Sequence, residues 1–127
     1  MKVLVVDDFA TMRKIVKNVL KQINIDNVME AENGKQALNL LKSEKIDLII
    51  SDWIMPEMTG IEFLKVCKSD ETIKNIPFIM VTAEAQKDSV VEAIKSGVDN
   101  YIVKPFTPEK LRETIERAKA KVSAQGG

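Results

Sequence analysis

Five short apolar runs, each broken by polar residues, constrain this 127-residue chain more than any other feature. Val3-Leu4-Val5-Val6 ends at Asp7-Asp8, and Leu48-Ile49-Ile50 ends at Ser51-Asp52. Phe78-Ile79-Met80-Val81 ends at Thr82-Ala83, and Tyr101-Ile102-Val103 ends at Lys104-Pro105. Val28-Met29-Glu30-Ala31 is the remaining run. Runs this short and this rich in β-branched residues read as strands, mostly buried on both faces.

The segments between them have helical spacing. From Ala10 to Gln22, Val16, Val19, Leu20 and Ile23 mark an apolar stripe, with Arg13, Lys17 and Lys21 in a basic row on another face. That row reads as a solvated surface or a docking face. Asn33 is placed to cap a helix with Ala37, Leu38, Leu40 and Leu41 inward. A third helix, 60–68, carries Ile61, Phe63, Leu64 and Val66, with Pro56 and Gly60 marking the loop before it. A fourth, 85–96, stops at Gly97, and its apolar residues Val90, Val91, Ala93 and Ile94 cover a wider arc than a minimal buried stripe requires. Thr107 and Pro108 start the last helix, expected to end near Val122 before a frayed tail, 123–127. Strand and helix thus alternate five times. The pattern predicts one α/β domain over residues 1–127, with a doubly wound parallel sheet and no separate output domain.

Composition narrows the function. Nineteen Lys and Arg balance nineteen Asp and Glu, so no global field favours nucleic acid. No run is long enough for a membrane span, and Met1-Lys2 leads straight into a strand pattern without a signal peptide. The single cysteine, Cys67, reads as a small buried hydrophobe and fits a reducing compartment, so the cytoplasm is the expected location. Histidine is absent, which removes histidine-based catalysis, histidine zinc sites and any phosphohistidine on this chain.

What remains is the set of groups at the strand ends. In a parallel sheet all carboxyl ends lie at one edge, where ligand chemistry sits. Asp7, Asp8 and Asp52 repel one another there unless some are protonated or a cation lies among them. An all-oxygen donor set suits a hard ion, and a site that keeps several waters suits Mg²⁺. An ionised Asp beside Mg²⁺ can attack phosphorus, while the Lys104 ammonium and the Thr82 hydroxyl serve the transferring oxygens.

These residues also carry a resemblance. Val5-Val6-Asp7-Asp8-Phe9, the segment from Ser51 to Pro56, the segment from Met80 to Ala85, and the segment from Tyr101 to Thr107 resemble the receiver domain of two-component response regulators. Within that family they are most similar to the stand-alone chemotaxis type. The resemblance implies a flavodoxin-like (βα)5 fold with strand order 2-1-3-4-5. It implies Asp52 as phospho-acceptor, and Asp8, Asp52 and the Ile54 backbone carbonyl as Mg²⁺ ligands, with Asp7 acting through water. It further implies Thr82 and Lys104 on the phosphoryl group, a cis Lys104-Pro105 bond, and Thr82 with Tyr101 as the switch pair. Val90, Ile94, Tyr101 and Val103 then belong to the partner face. Trp53, beside the acceptor, resembles the chemotaxis type, where it reports on the pocket. The implied partners are a chemotaxis histidine kinase, the flagellar motor switch protein and, in some systems, a phosphatase; the chain is expected to be a monomer.

One position departs. Chemotaxis regulators carry a polar amide two residues after the acceptor, whereas this chain has Ile54. That bears on the lifetime of the phosphate and on any dedicated phosphatase, with Ile54 and Glu84 as the residues expected to tune it. A same-fold alternative is a phosphorelay receiver that passes its phosphoryl group to another protein's histidine. A phosphatase with an aspartate nucleophile is disfavoured, because the two acids after the first strand are adjacent and no cap segment is present. A flavin module needs a hydroxyl- and glycine-rich loop where Asp7-Asp8-Phe9 stands.

Overall fold

The computed structural model describes the backbone of residues 1–82 and 87–126 and the side chains of 1–82 and 91–120. In chain order the elements are β1 (Val3–Val6), α1 (Ala10–Gln22), β2 (Val28–Ala31), α2 (Gly34–Ser43) and β3 (Leu48–Asp52). They continue with α3 (Gly60–Ser69), β4 (Phe78–Thr82), α4 (Lys87–Lys95), β5 (Asn100–Val103) and α5 (Pro108–Gly126). All neighbouring strands pair in parallel, in the order β2-β1-β3-β4-β5. The flavodoxin-like order implied by the sequence is therefore the observed one.

The apolar runs lack alternation because both faces of the sheet are covered. Val3, Val5, Leu48, Ile50, Ile79, Val81 and Ile102 face one core with Val16, Leu20, Leu111 and Ile115 from α1 and α5. Leu4, Val6, Ile49, Phe78 and Met80 face the other, with Ala37, Leu41, Phe63 and Leu64 from α2 and α3. In that second core the Phe63 and Phe78 rings lie 5.5 Å apart and tilted. Such a pair adds about 1 kcal/mol beyond its buried area.

Local chemistry sets most helix starts. Asn33 Oδ1 accepts from the Gln36 N–H at 2.9 Å, as expected of the cap of α2. Thr107 Oγ1 accepts from the Lys110 N–H at 3.1 Å to open α5. Thr59 and Glu62 form a reciprocal capping box at α3, a T-x-x-E signal that adds a cause to the boundary marked by Gly60. Gly97, at φ +94°, closes the turn after α4 in the left-handed region.

Three expectations need correction or limits. The last helix runs on to Gly126 instead of ending near Val122, because Ser123-Ala124-Gln125 contains no breaker. In α3, Val66 is exposed and Cys67 takes the buried position, one residue further round the stripe set by Phe63 and Leu64. The expected start of the fourth helix at Ala85 lies outside the described residues.

Candidate functional site

Because every strand runs the same way, the polar groups that end β1, β3, β4 and β5 meet at one edge. Asp7 follows β1 directly and stays in the sheet through its N–H, which donates to the Ala31 carbonyl at 3.1 Å. Its side chain is buried, and its Oδ1 accepts from the Phe9 N–H at 2.9 Å as the chain turns into α1. Asp8, between them, is exposed.

Asp52 is the last residue of β3 and is buried. Its Oδ1 accepts from the Trp53 N–H at 2.9 Å and from Lys104 Nζ at 3.2 Å. The loop beyond is pressed against the site: the Gly60 N–H donates to the Trp53 carbonyl at 2.7 Å. A Cβ at Gly60 would collide with the Asp52 carbonyl oxygen and the Trp53 Cα, so only glycine lets α3 begin this close. Between them Glu57 holds φ +68° in a tight turn closed by Met58 N–H on the Pro56 carbonyl at 2.7 Å.

Lys104 reaches in from the end of β5. Its backbone N–H donates to the Thr82 carbonyl at 2.6 Å, and the bond to Pro105 is cis. The ammonium lies 3.2 Å from Asp52 and 4.0 Å from Asp7 Oδ2. Thr82, buried at the end of β4, pairs with Val103 across the ladder.

The charges do not balance. Asp7, Asp8 and Asp52 bring carboxylate oxygens within 4.8 Å of one another, and among the described residues Lys104 is the cation paired with Asp7 and Asp52. Burial, reinforced by Asp52 and Asp8, raises the Asp7 carboxyl to about 6 despite the Phe9 N–H and Lys104. Burial also raises Asp52, against the pull of Lys104 and the Trp53 N–H. Acids whose ionisation is opposed by burial and by one another, offering oxygen only, fit a hard divalent cation such as Mg²⁺.

The structure thus brings together Asp7, Asp8, Asp52, Thr82 and Lys104 at one edge, as expected. Ile54 projects outward, 70% exposed. Glu84 and the Val90 side chain lie outside the described residues. Ile94, Tyr101 and Val103 line a groove of about 790 Å³ with Phe106 and Lys110, along α4, β5 and α5. Val91 and Ile94 (59%) are exposed on α4, in keeping with its wide apolar arc, and Tyr101 of β5 is 42% exposed. A smaller apolar depression of Met12, Ile15, Pro105 and Phe106 borders Lys104.

Two contributors escape a reading of the sequence. Gly60 is read only as a boundary, because the collision that requires it is tertiary. Arg13 is read as part of a surface row, yet its guanidinium donates to the Asp7 carbonyl at 2.7 Å.

Residues 3–116 match the family model described as the response regulator receiver domain. The chain is 49% identical over 117 residues to the chemotaxis protein CheY of Pseudomonas aeruginosa, covering 92% of this chain and 94% of that one. It is 48% identical over 127 residues to a chemotaxis protein CheY homolog of Campylobacter jejuni, covering 99% and 98%. Among solved structures, the chemotaxis response regulator CheY4 of Vibrio cholerae superposes with a TM-score of 0.84 at 38% identity, covering 92% of this chain and 97% of that one.

Proposed function

This chain belongs to the response regulator receiver domain family, as a CheY-like receiver of a two-component chemotaxis system, and from that premise we propose that it is a switch thrown by phosphorylation of Asp52. The observation that carries the reading is the buried Asp52 held between an ammonium and a backbone N–H, beside two further acids that lack enough positive charge.

Asp8, Asp52 and the Ile54 carbonyl are the proposed Mg²⁺ ligands, with Asp7 acting through water. Bound there, the ion supplies the positive charge that lets a phosphoryl group approach three carboxylates. Asp52 attacks phosphorus as the P–N bond of a kinase phosphohistidine breaks, returning the imidazole to the donor. The Trp53 N–H and Lys104, both on Oδ1, orient the carboxylate for that attack. Lys104 then moves its charge onto a phosphoryl oxygen, and Thr82 turns its hydroxyl to another.

The switch follows from the ladder. Thr82 and Val103 are register partners, and the Lys104 N–H hangs on the Thr82 carbonyl, so a pull on Thr82 is felt at Tyr101 and Val103. Phosphorylation shifts the population of the groove along Ile94, Tyr101 and Val103 toward a form that binds the flagellar motor switch protein in the cytoplasm. The apolar depression beside Lys104 suits docking of the histidine-bearing donor.

Trp53, the single tryptophan, is the natural probe. Its fluorescence is expected to change with Mg²⁺ and again with a small acyl phosphate. Asp52→Asn should lose the second change; its persistence would place the acceptor elsewhere.

A further inference from the structure

The basic row of α1 is not one surface. Lys21 is exposed, whereas Arg13 is drawn under the site, its side chain 12% exposed. Arg13 Nε donates to Glu30 Oε1 at 3.0 Å, and its terminal nitrogen donates to the Asp7 carbonyl at 2.7 Å. Lys17, one turn on, holds the other Glu30 oxygen at 3.1 Å.

The position of these contacts matters. Asp7 leaves the sheet just beyond the pairing of Val6 with Ala31, and its N–H is still bonded to the Ala31 carbonyl. Its own carbonyl is the group at which the ladder stops, and a guanidinium takes it. That carbonyl belongs to the peptide joining Asp7 to Asp8. With the peptide plane held by Arg13 on one side and the Asp7 carboxylate held by the Phe9 N–H on the other, both acids have a fixed origin. Glu30 in turn fixes the guanidinium, because Val5 and Glu30 are register partners and so point to the same face of the sheet, toward α1.

We infer that Arg13, braced by Glu30, is a positioning residue for the divalent-cation site: it sets the Asp7-Asp8 peptide so that the Asp8 carboxylate is aimed at the ion. This inference rests on the proposed Mg²⁺ site. Arg13 works through geometry. Arg13 reaches the Glu30 carboxylate and the Asp7 carbonyl with two different nitrogens of one rigid fork, a span that the single nitrogen of a lysine at this position does not reproduce.

The test uses the whole chain and MgCl₂, read by Trp53 fluorescence, together with amide hydrogen exchange of the metal-free protein. Arg13→Lys keeps the charge and is expected to weaken Mg²⁺ binding about 5- to 10-fold, which is roughly 1 kcal/mol. It is also expected to speed exchange at the Asp8 and Phe9 amides. Glu30→Gln, a milder change that leaves the fold intact, should move both readouts the same way by about twofold. Lys21→Met removes a charge from the same row and should move neither. Unchanged Mg²⁺ affinity and unchanged exchange in Arg13→Lys, or an equal loss of affinity in Lys21→Met, would overturn the inference. Failure of the wild type itself to bind Mg²⁺ would instead sink the proposed metal site, and the exchange measurement would still decide whether Arg13 holds the loop.

Discussion

The two ends of the sheet use the same residue types to opposite effect. At the amino end, Asp99 Oδ2 accepts from the Phe78 N–H at 2.7 Å and from Lys68 Nζ at 3.1 Å. Lys68 also donates to the carbonyls of Lys74 and Ile76, so one acid and one cation tie α3, β4 and the start of β5 together. At the carboxyl end, among the described residues, three acids crowd one lysine. The amino end is matched for stability. The carboxyl end is left short of positive charge, a deficit that a divalent cation can fill and that a phosphoryl group, itself anionic, would only deepen without one.

The contrast is broken most severely at the matched end. Lys68→Met should remove the ammonium from Asp99 and from the Lys74 and Ile76 carbonyls and destabilise the protein by about 3 kcal/mol, measured by urea unfolding. A loss near zero would show that the clasp is ornamental and the two ends are not different in kind.

At the deficient end the sign reverses with pH. Asp7 has a folded pKa of about 6 against 3.8 unfolded, so its favourable contribution is full below about pH 4 and lost as pH rises through about 6. The raised Asp52 carboxyl acts in the same direction. Without Mg²⁺, Asp7→Asn should therefore be about 2 kcal/mol more stable than wild type at pH 7 and equal to it near pH 4, a difference read from paired melting curves. Saturating Mg²⁺, about a hundredfold above its dissociation constant, should return roughly 2.7 kcal/mol to the wild type.

Removing the exposed acid gives a smaller change. Asp8→Ala should raise metal-free stability by roughly 0.5–1 kcal/mol while weakening Mg²⁺ binding, so gain of fold and loss of ion occur in one variant. A metal-free loss of stability would mean that Asp8 is matched after all.

An effect of similar size, on rate and not on stability, concerns the rim. Ile54 is 70% exposed two residues after Asp52, where an aliphatic group offers no hydrogen bond to a water attacking the aspartyl phosphate. Ile54→Asn should speed phosphate loss several-fold, about 1 kcal/mol of barrier, with Mg²⁺ affinity unchanged because the proposed ligand atom is backbone. Decay after donor removal measures it; equal rates would show that the side chain does not guard the water path.

Much of this asymmetry is legible in the sequence because it is local. An apolar run and the polar residue that stops it are adjacent, so Asp7, Asp52, Thr82 and Lys104 announce themselves, and parallel pairing does the gathering. Asn33, Thr107 and Gly97 act within a turn and are equally readable. Thr59 and Glu62 are as local, but the neighbouring Pro56 and Gly60 already account for a boundary there and hide the capping box. What cannot be read is contact across the sheet. Arg13 meets Glu30 only because β1 and β2 pair with Val5 beside Glu30, and Gly60 is required only because α3 starts against the backbone of β3. The Lys68–Asp99 clasp spans 31 positions and belongs to the same class.

The most direct test of the charge deficit as a phosphoryl site is chemical. The protein is mixed with a small acyl phosphate with and without Mg²⁺, and the added mass is located by peptide. The account predicts one phosphoryl group, on Asp52, formed only with the ion present. Label on another residue, or equal labelling of Asp52 without Mg²⁺, would contradict it.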